Sequence, residues 1–221
     1  MTKIETAETA TGPARVHWYE ATEPRAVVAL SHGAGGGIGA RDLAALARVL
    51  PERGFGVALV EMPWRVAGKK VAPAPKTLDA GWREIWPALA RPGLPVVAGG
   101  RSAGARVACR TSRELGAAAV LALSFPLHPP GRPEKSRADE LLGAGLPTLV
   151  VQGGNDPFGK PADFPEPSAG EYRLVEIPYG DHSFAVPKRV DLTESEAVTL
   201  LTDAVAAWLT TPGMLRTRPV L

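Results

Sequence analysis

Residues 99 to 108 read GGRSAGARVA, and Gly100, Ser102 and Gly104 give the spacing GxSxG. A serine hydroxyl is a weak nucleophile until a base takes its proton, so the spacing carries chemistry only where a sharp turn presents Oγ to a histidine. Tiny residues two positions to either side suit such a turn, because larger side chains would collide with it. If a helix begins after Ser102, the N–H of Ala103 lies at its positive end and can stabilise developing negative charge. The alternative reading is an ordinary serine at a helix start.

The chain has four histidines: His17, His32, His128 and His182. His17 precedes the main apolar runs, and His32 sits in SHGAGGGIG, where it can order the glycines by hydrogen bonding. His182, in YGDHSF, follows the last apolar run and is the first candidate base; His128, in SFPLHPPG, is the second. A base needs a carboxylate to hold its tautomer and stabilise imidazolium. Asp156, in VVQGGNDPFG, is the candidate, in the chain order Ser, Asp, His. Its other reading is a turn former ahead of Pro157. Asp181 adjoins His182, and adjacent side chains in an extended chain point apart.

These residues need a scaffold. Valine-rich runs at Ala26 to Leu30, Phe55 to Val60, Leu94 to Ala98, Ala117 to Leu123, Leu146 to Val151 and Tyr172 to Ile177 mostly lack polar alternation and suit strands buried on both faces. Between them apolar residues recur at helical spacing: Leu43, Leu46, Ala47 and Leu50, then Leu78, Trp82, Ile85 and Leu89. Thr193 and Glu196 form a capping box before a final stripe of Val198, Leu201, Val205, Trp208 and Leu209. Alternation of this kind predicts an α/β fold, a mostly parallel central sheet with helices on both faces, and places function in the loops after the strands. Arg15 to Ala21 alternates and reads as an antiparallel edge strand. Pro63 to Lys76 reads as a proline-rich basic loop, and residues 1–14 and 211–221 read as flexible ends of a single domain spanning 1–221.

Four of the candidates fall in loops that follow those strands. Ser102 follows the run ending at Ala98, Asp156 the one ending at Val151, His182 the one ending at Ile177, and SHGAGGGIG the first. The glycine loop fits neither the phosphate-loop pattern nor the dinucleotide pattern, since no lysine follows and the nearest acid is Glu61. A loop that supplies N–H groups to an oxyanion is the other reading.

Composition narrows the classes. With 25 basic and 23 acidic residues the net charge is +2, and 45% of residues are hydrophobic, values that favour neither nucleic acid nor a membrane surface as partner. Cys109 is the single cysteine, which excludes an internal disulfide and fits a reducing compartment. MTKIETAETATG has no apolar signal core, and the expected location is cytoplasmic.

Taken with GGRSAGARVAC, SFPLHPPGRPEK, VVQGGNDPFG and GDHSF, the chain resembles the α/β-hydrolase superfamily over nearly its whole length. Within it, those strings are similar to a small capless family that includes the Tex-type proteins and the third subunit of the chromatin NSL complex, with dienelactone hydrolases more distant. The resemblance implies Ser102, Asp156 and His182 as a catalytic triad, the amides of Ala34 and Ala103 as oxyanion hole, and hydrolysis of a carboxylic ester or related acyl compound without metal or cofactor. A thioesterase or dienelactone-hydrolase-like activity, or a noncatalytic interaction module, are the alternatives. Cys109, seven residues beyond the serine, reads as a buried small hydrophobe. The short connection from Leu123 to Asp139 leaves no room for a large cap. Trp64, Leu127, His128, Phe158 and Phe184 lie on loops expected to border the site, and Arg65, Lys69, Lys70 and Lys76 suit a solvated surface, with attraction of a carboxylated substrate as the alternative. The partner expected is a small-molecule acyl substrate, bound by a monomer or small homo-oligomer.

Overall fold

The valine-rich runs form six parallel strands of one eight-stranded sheet in the computed structural model, which describes residues 3–167 and 172–215. In chain order the strands are β1 (Lys3–Ala7), β2 (Ala14–Tyr19), β3 (Val27–Ser31), β4 (Gly56–Glu61), β5 (Val96–Arg101), β6 (Ala119–Leu123), β7 (Thr148–Gly153) and β8 (Arg173–Ile177). The helices are α1 (Arg41–Val49), α2 (Pro63–Val66), α3 (Pro75–Leu89), α4 (Ala103–Thr111), α5 (Ala138–Leu142) and α6 (Glu194–Leu209). Across the sheet the order is β1-β2-β4-β3-β5-β6-β7-β8, with β1 and β2 antiparallel. The chain runs from β3 out to β4 and then returns to the other side of β3 as β5. Connections leave those neighbours in opposite directions, which opens a crevice at the carboxyl ends of β3 and β5.

Burial on both faces explains the apolar runs. Val27 and Ala29 face a layer built from α3, α4 and α5, while Val28 and Leu30 face α1 and α6. Trp82, Ile85 and Leu89 of α3 fill the first layer, and Leu43, Leu46 and Val205 the second. The capping box forms as read: Thr193 Oγ1 accepts from the Glu196 amide at 3.2 Å, and Glu196 Oε2 accepts from the Thr193 amide at 2.7 Å. Arg110 of α4 joins Asp79 of α3 at 2.6 Å and Glu140 of α5 at 2.7 Å, so α4 is clamped between its neighbours.

Three expectations are corrected. Lys3–Ala7 is the edge strand, not a loose end, and Arg15 to Ala21 forms the second strand rather than the edge. Ala7 is buried in the layer that holds α3, and Glu5 ties the strand down by pairing with Arg91 at 3.3 Å. The segment 63–76 is not one loop: Pro63 and Pro75 each occupy a first helical position, where a missing N–H costs nothing. Met214 and Leu215 rest on the α1 and α6 layer, and the remainder of the expected loose tail, 216–221, lies outside the described residues. No helix among the described residues is long and apolar enough to cross a membrane.

Trp82 is wholly enclosed in the first layer, whereas Leu200 is exposed on α6. Trp82→Ala is expected to lower the unfolding free energy by about 3–5 kcal/mol in a urea titration followed by circular dichroism. Leu200→Ala should change it by no more than about 0.5 kcal/mol.

Candidate active site

At the carboxyl end of β5 the chain turns into α4 within a single residue. Ser102 takes φ 54° and ψ −110°, a backbone conformation that side chains rarely adopt. Ser31 at the end of β3 packs into the concave side of this turn. A Cβ at Gly100 would lie 2.5 Å from the Ser31 carbonyl oxygen, and one at Gly104 would lie 2.5 Å from Ser31 Oγ. Both positions therefore admit only glycine, and the object they avoid is the neighbouring strand. The Ser102 amide donates to the Leu123 carbonyl at 2.9 Å, and Oγ is left free to face the loop after β8. Ala103 is the first residue of α4, so its N–H has no acceptor within the helix.

That loop brings His182 to the serine. His182 Nε2 lies 2.9 Å from Ser102 Oγ, and Nδ1 lies 2.8 Å from Asp156 Oδ2. A carboxylate only accepts, so Nδ1 carries the hydrogen, and Nε2 is then the acceptor for the serine hydroxyl. Asp156 is 1% exposed and held from two further sides: Oδ2 also accepts from Gln152 Nε2 at 2.9 Å, and Oδ1 from the Phe158 amide at 2.8 Å. The Phe158 ring lies over the imidazole, with centroids 4.2 Å apart.

Asp181 does not compete for the imidazole. Its Oδ1 accepts from the Ser183 amide, the Ser183 hydroxyl and the Ala185 amide at 2.7, 2.7 and 3.0 Å, closing the turn that presents His182. Burial pushes this carboxyl up, but those bonds outweigh it and hold the group below the ordinary aspartate range.

The glycine-rich loop lies on the opposite side of Ser102. A Cβ at Gly33 would sit 3.2 Å from Ser102 Cβ, so this backbone packs directly on the elbow. His32 shapes the loop: Nδ1 donates to the Gly33 carbonyl at 3.0 Å, and Nε2 accepts from the Met62 amide at 3.1 Å. Its ring meets Trp64 edge-on at 5.2 Å. Ala34 and Ala103 together line a cleft of about 10 Å³ whose other walls include Met62, Trp64 and Leu78. These three residues also line a larger cavity of about 280 Å³, reached past Pro63, Lys69 and Val71.

Residues 24–210 match the family of alpha/beta hydrolase domains. The chain belongs to that family. Its fold is similar to a serine hydrolase without lid from Xanthomonas campestris, with a TM-score of 0.68 and 21% identity over 95% of this chain and 96% of that one. It is similar also to dienelactone hydrolase from Anabaena variabilis, with a TM-score of 0.71 and 18% identity over 98% and 99%. Est1E from Butyrivibrio proteoclasticus gives 0.71 and 12% over 94% and 99%. A search of curated proteins by sequence gave no match.

Within this lidless hydrolase fold the expected bordering residues divide. Trp64 lines both cavities, and Phe158 covers His182. Phe184 is 1% exposed inside the α1 and α6 layer, and Leu127 is 3% exposed inside the opposite layer, and neither lines the two cavities. Sequence spacing put both on the right loops but could not tell which loop residues turn inward. The contacts of His128 lie with other residues than Ser102. Its Nδ1 lies 3.0 Å from the Pro129 carbonyl and its Nε2 lies 3.9 Å from Asp163, while its amide supports the Phe158 carbonyl at 3.0 Å. Cys109 is buried within α4, and burial pushes its thiol up to about 12.

Two polar residues of this hydrolase site escaped the sequence reading. Gln152, fully buried on β7, reaches both Asp156 and the Gly159 carbonyl, at 2.9 and 2.8 Å. A glutamine inside an apolar strand was the available signal. Arg101 donates through Nη2 to the His182 carbonyl at 2.7 Å, and its only sequence signal was its place inside the GxSxG turn.

Burial holds His32 below the ordinary histidine range, against the Gly33 carbonyl and Glu61, which favour its charged form, and with Arg65, which opposes it. With the folded value depressed, the unfolded chain binds the extra proton first, so stability falls as pH drops below about 6.5. His17 is shifted the same way by burial, so the comparison must isolate His32. His32→Asn should be less stable than the wild-type chain at pH 7.5. The gap should narrow as thermal melts move towards pH 5.5.

Proposed function

We propose that this hydrolase cleaves a carboxylic ester or related acyl compound through Ser102, His182 and Asp156. The single observation that carries the reading is the unbroken hydrogen-bonded chain from Ser102 Oγ through the imidazole to a buried carboxylate, at 2.9 and 2.8 Å. Ser102 attacks the carbonyl carbon while His182 Nε2 takes its proton, and Asp156 stabilises the imidazolium that forms. The amides of Ala34 and Ala103 are the proposed donors to the oxyanion, which their shared cleft beside the elbow supports. His182 returns the proton to the departing alcohol. A water activated by the same imidazole then releases the acid from Ser102.

The cleft beside those amides supports a short acyl group. About 10 Å³ holds roughly one water-sized group, so an acetyl methyl fits where a long chain does not. A cavity of about 280 Å³ that shares Met62, Trp64 and Leu78 as lining approaches the size of small-ligand pockets. Est1E, a structural neighbour, has been seen with ferulic acid bound, which supports an ester substrate in general terms.

A fluorophosphonate should label the pure wild-type chain at Ser102 and leave Ser102→Ala unlabelled; absence of labelling in the wild type would favour a noncatalytic binding role. With p-nitrophenyl acetate, Ser102→Ala and His182→Ala should each lose roughly four to six orders of magnitude in turnover. A parallel series of thioesters and dienelactones tests the neighbouring acyl chemistries. The acetate ester should be hydrolysed faster than the octanoate, and Trp64→Ala should narrow that difference by joining the two cavities. An octanoate preference in the wild type would overturn the short-acyl assignment.

A further inference from the structure

Arg101 precedes the serine on β5, and its side chain ends beneath the loop that carries His182. Nη2 donates to the His182 carbonyl oxygen at 2.7 Å, joining residues 81 apart in the chain. Nε faces Asp42 Oδ2 at 3.3 Å, close enough for an ion pair although not aimed for a hydrogen bond. A Cβ at Gly33 would lie 3.5 Å from Nη1, so the same guanidinium packs against the glycine-rich loop. Asp42 sits in the first turn of α1 and is 1% exposed. One partly buried cation therefore touches the base loop, the glycine-rich loop and α1 from a position adjoining Ser102.

We infer that Arg101, oriented by Asp42, is a positioning residue: it fixes the backbone of His182 so that Nε2 meets Ser102 Oγ. The inference rests on the proposed roles of Ser102 and His182. Hydrogen bonds from Asp156 and Ser102 reach only the ring, and a ring held at its tip still pivots with its backbone. Asp181 closes the turn from within the loop. Arg101 ties that closed turn to the strand bearing the serine. Burial holds the Asp42 carboxyl above the ordinary aspartate range even though Arg101 draws it down.

The test measures the rate of fluorophosphonate labelling at Ser102, together with kcat and KM for p-nitrophenyl acetate. Arg101→Gln is expected to lower kcat about a hundredfold with little change in KM, the scale of a misplacement near 1 Å. Labelling at Ser102 should slow alongside it. Arg101→Lys keeps a charged donor on the same side, so part of kcat should return. The double variant Arg101→Gln with Asp42→Asn leaves no buried unpaired charge. It should keep kcat low with KM little changed, and it decides the matter if Arg101→Gln does not fold. Labelling of Arg101→Gln at the wild-type rate overturns the inference. So does an equal loss of kcat in the glutamine and lysine variants with KM raised in both, which is the mark of a structural role alone. A wild-type chain that does not label at Ser102 instead overturns the proposed chemistry, and the two failures are thereby distinguished.

Discussion

The left-handed backbone of Ser102, wedged between β5 and α4 with Ser31 against its concave side, is the constraint around which the upper end of the molecule is built. Such a conformation costs on the order of 1–3 kcal/mol and persists only where the surroundings dictate it. Here β3 presses in from one side, the Leu123 carbonyl takes the Ser102 amide from the other, and ion pairs through Arg110 hold α4 in place. Ser124, Tyr179 and Phe184, the other non-glycine residues with positive φ among those described, all lie beyond the carboxyl ends of β6 and β8. Backbone strain is thus gathered at the end of the sheet where Ser102, His182 and Asp156 meet.

Around that turn, a handful of buried polar side chains decide how the loops stand. Gln152 holds Asp156, His32 holds the glycine-rich loop to the end of β4, and Arg101 joins the elbow to the loop of His182. Gln152 and His32 are buried and Arg101 partly so, and away from bulk water a hydrogen bond is strong and an unmade one is costly. Loops with few apolar residues gain fixed geometry in this way. Phe158 complements them by covering the imidazole on the side where a lidless fold leaves it open.

The cleft follows from the same economy of parts. With only a short connection between β6 and α5, no inserted domain roofs the site, and its walls come from the segment after β4. Met62 and Trp64 are placed there by the short helix α2, which begins at Pro63, and Leu78 by the start of α3. A segment that reads as a basic loop therefore contributes its apolar residues inward, while Lys69, Lys70 and Lys76 stay exposed.

The sequence by itself determined the strands, the helices and the chain order of Ser102, Asp156 and His182, because runs buried on two faces, amphipathic stripes and a capping box are local patterns with local physical causes. It also determined that Gly100 and Gly104 flank a turn, though not that Ser31 is what they make room for. Only the tertiary structure decided which residues near the site are walls and which are core, since Phe184 and Leu127 occupy the expected loops yet turn into opposite layers. It also decided that Lys3–Ala7 pairs as an edge strand and that Arg101 reaches His182. Those outcomes depend on contacts between segments far apart in the chain, and no local spacing encodes the direction in which a loop side chain will find its partner.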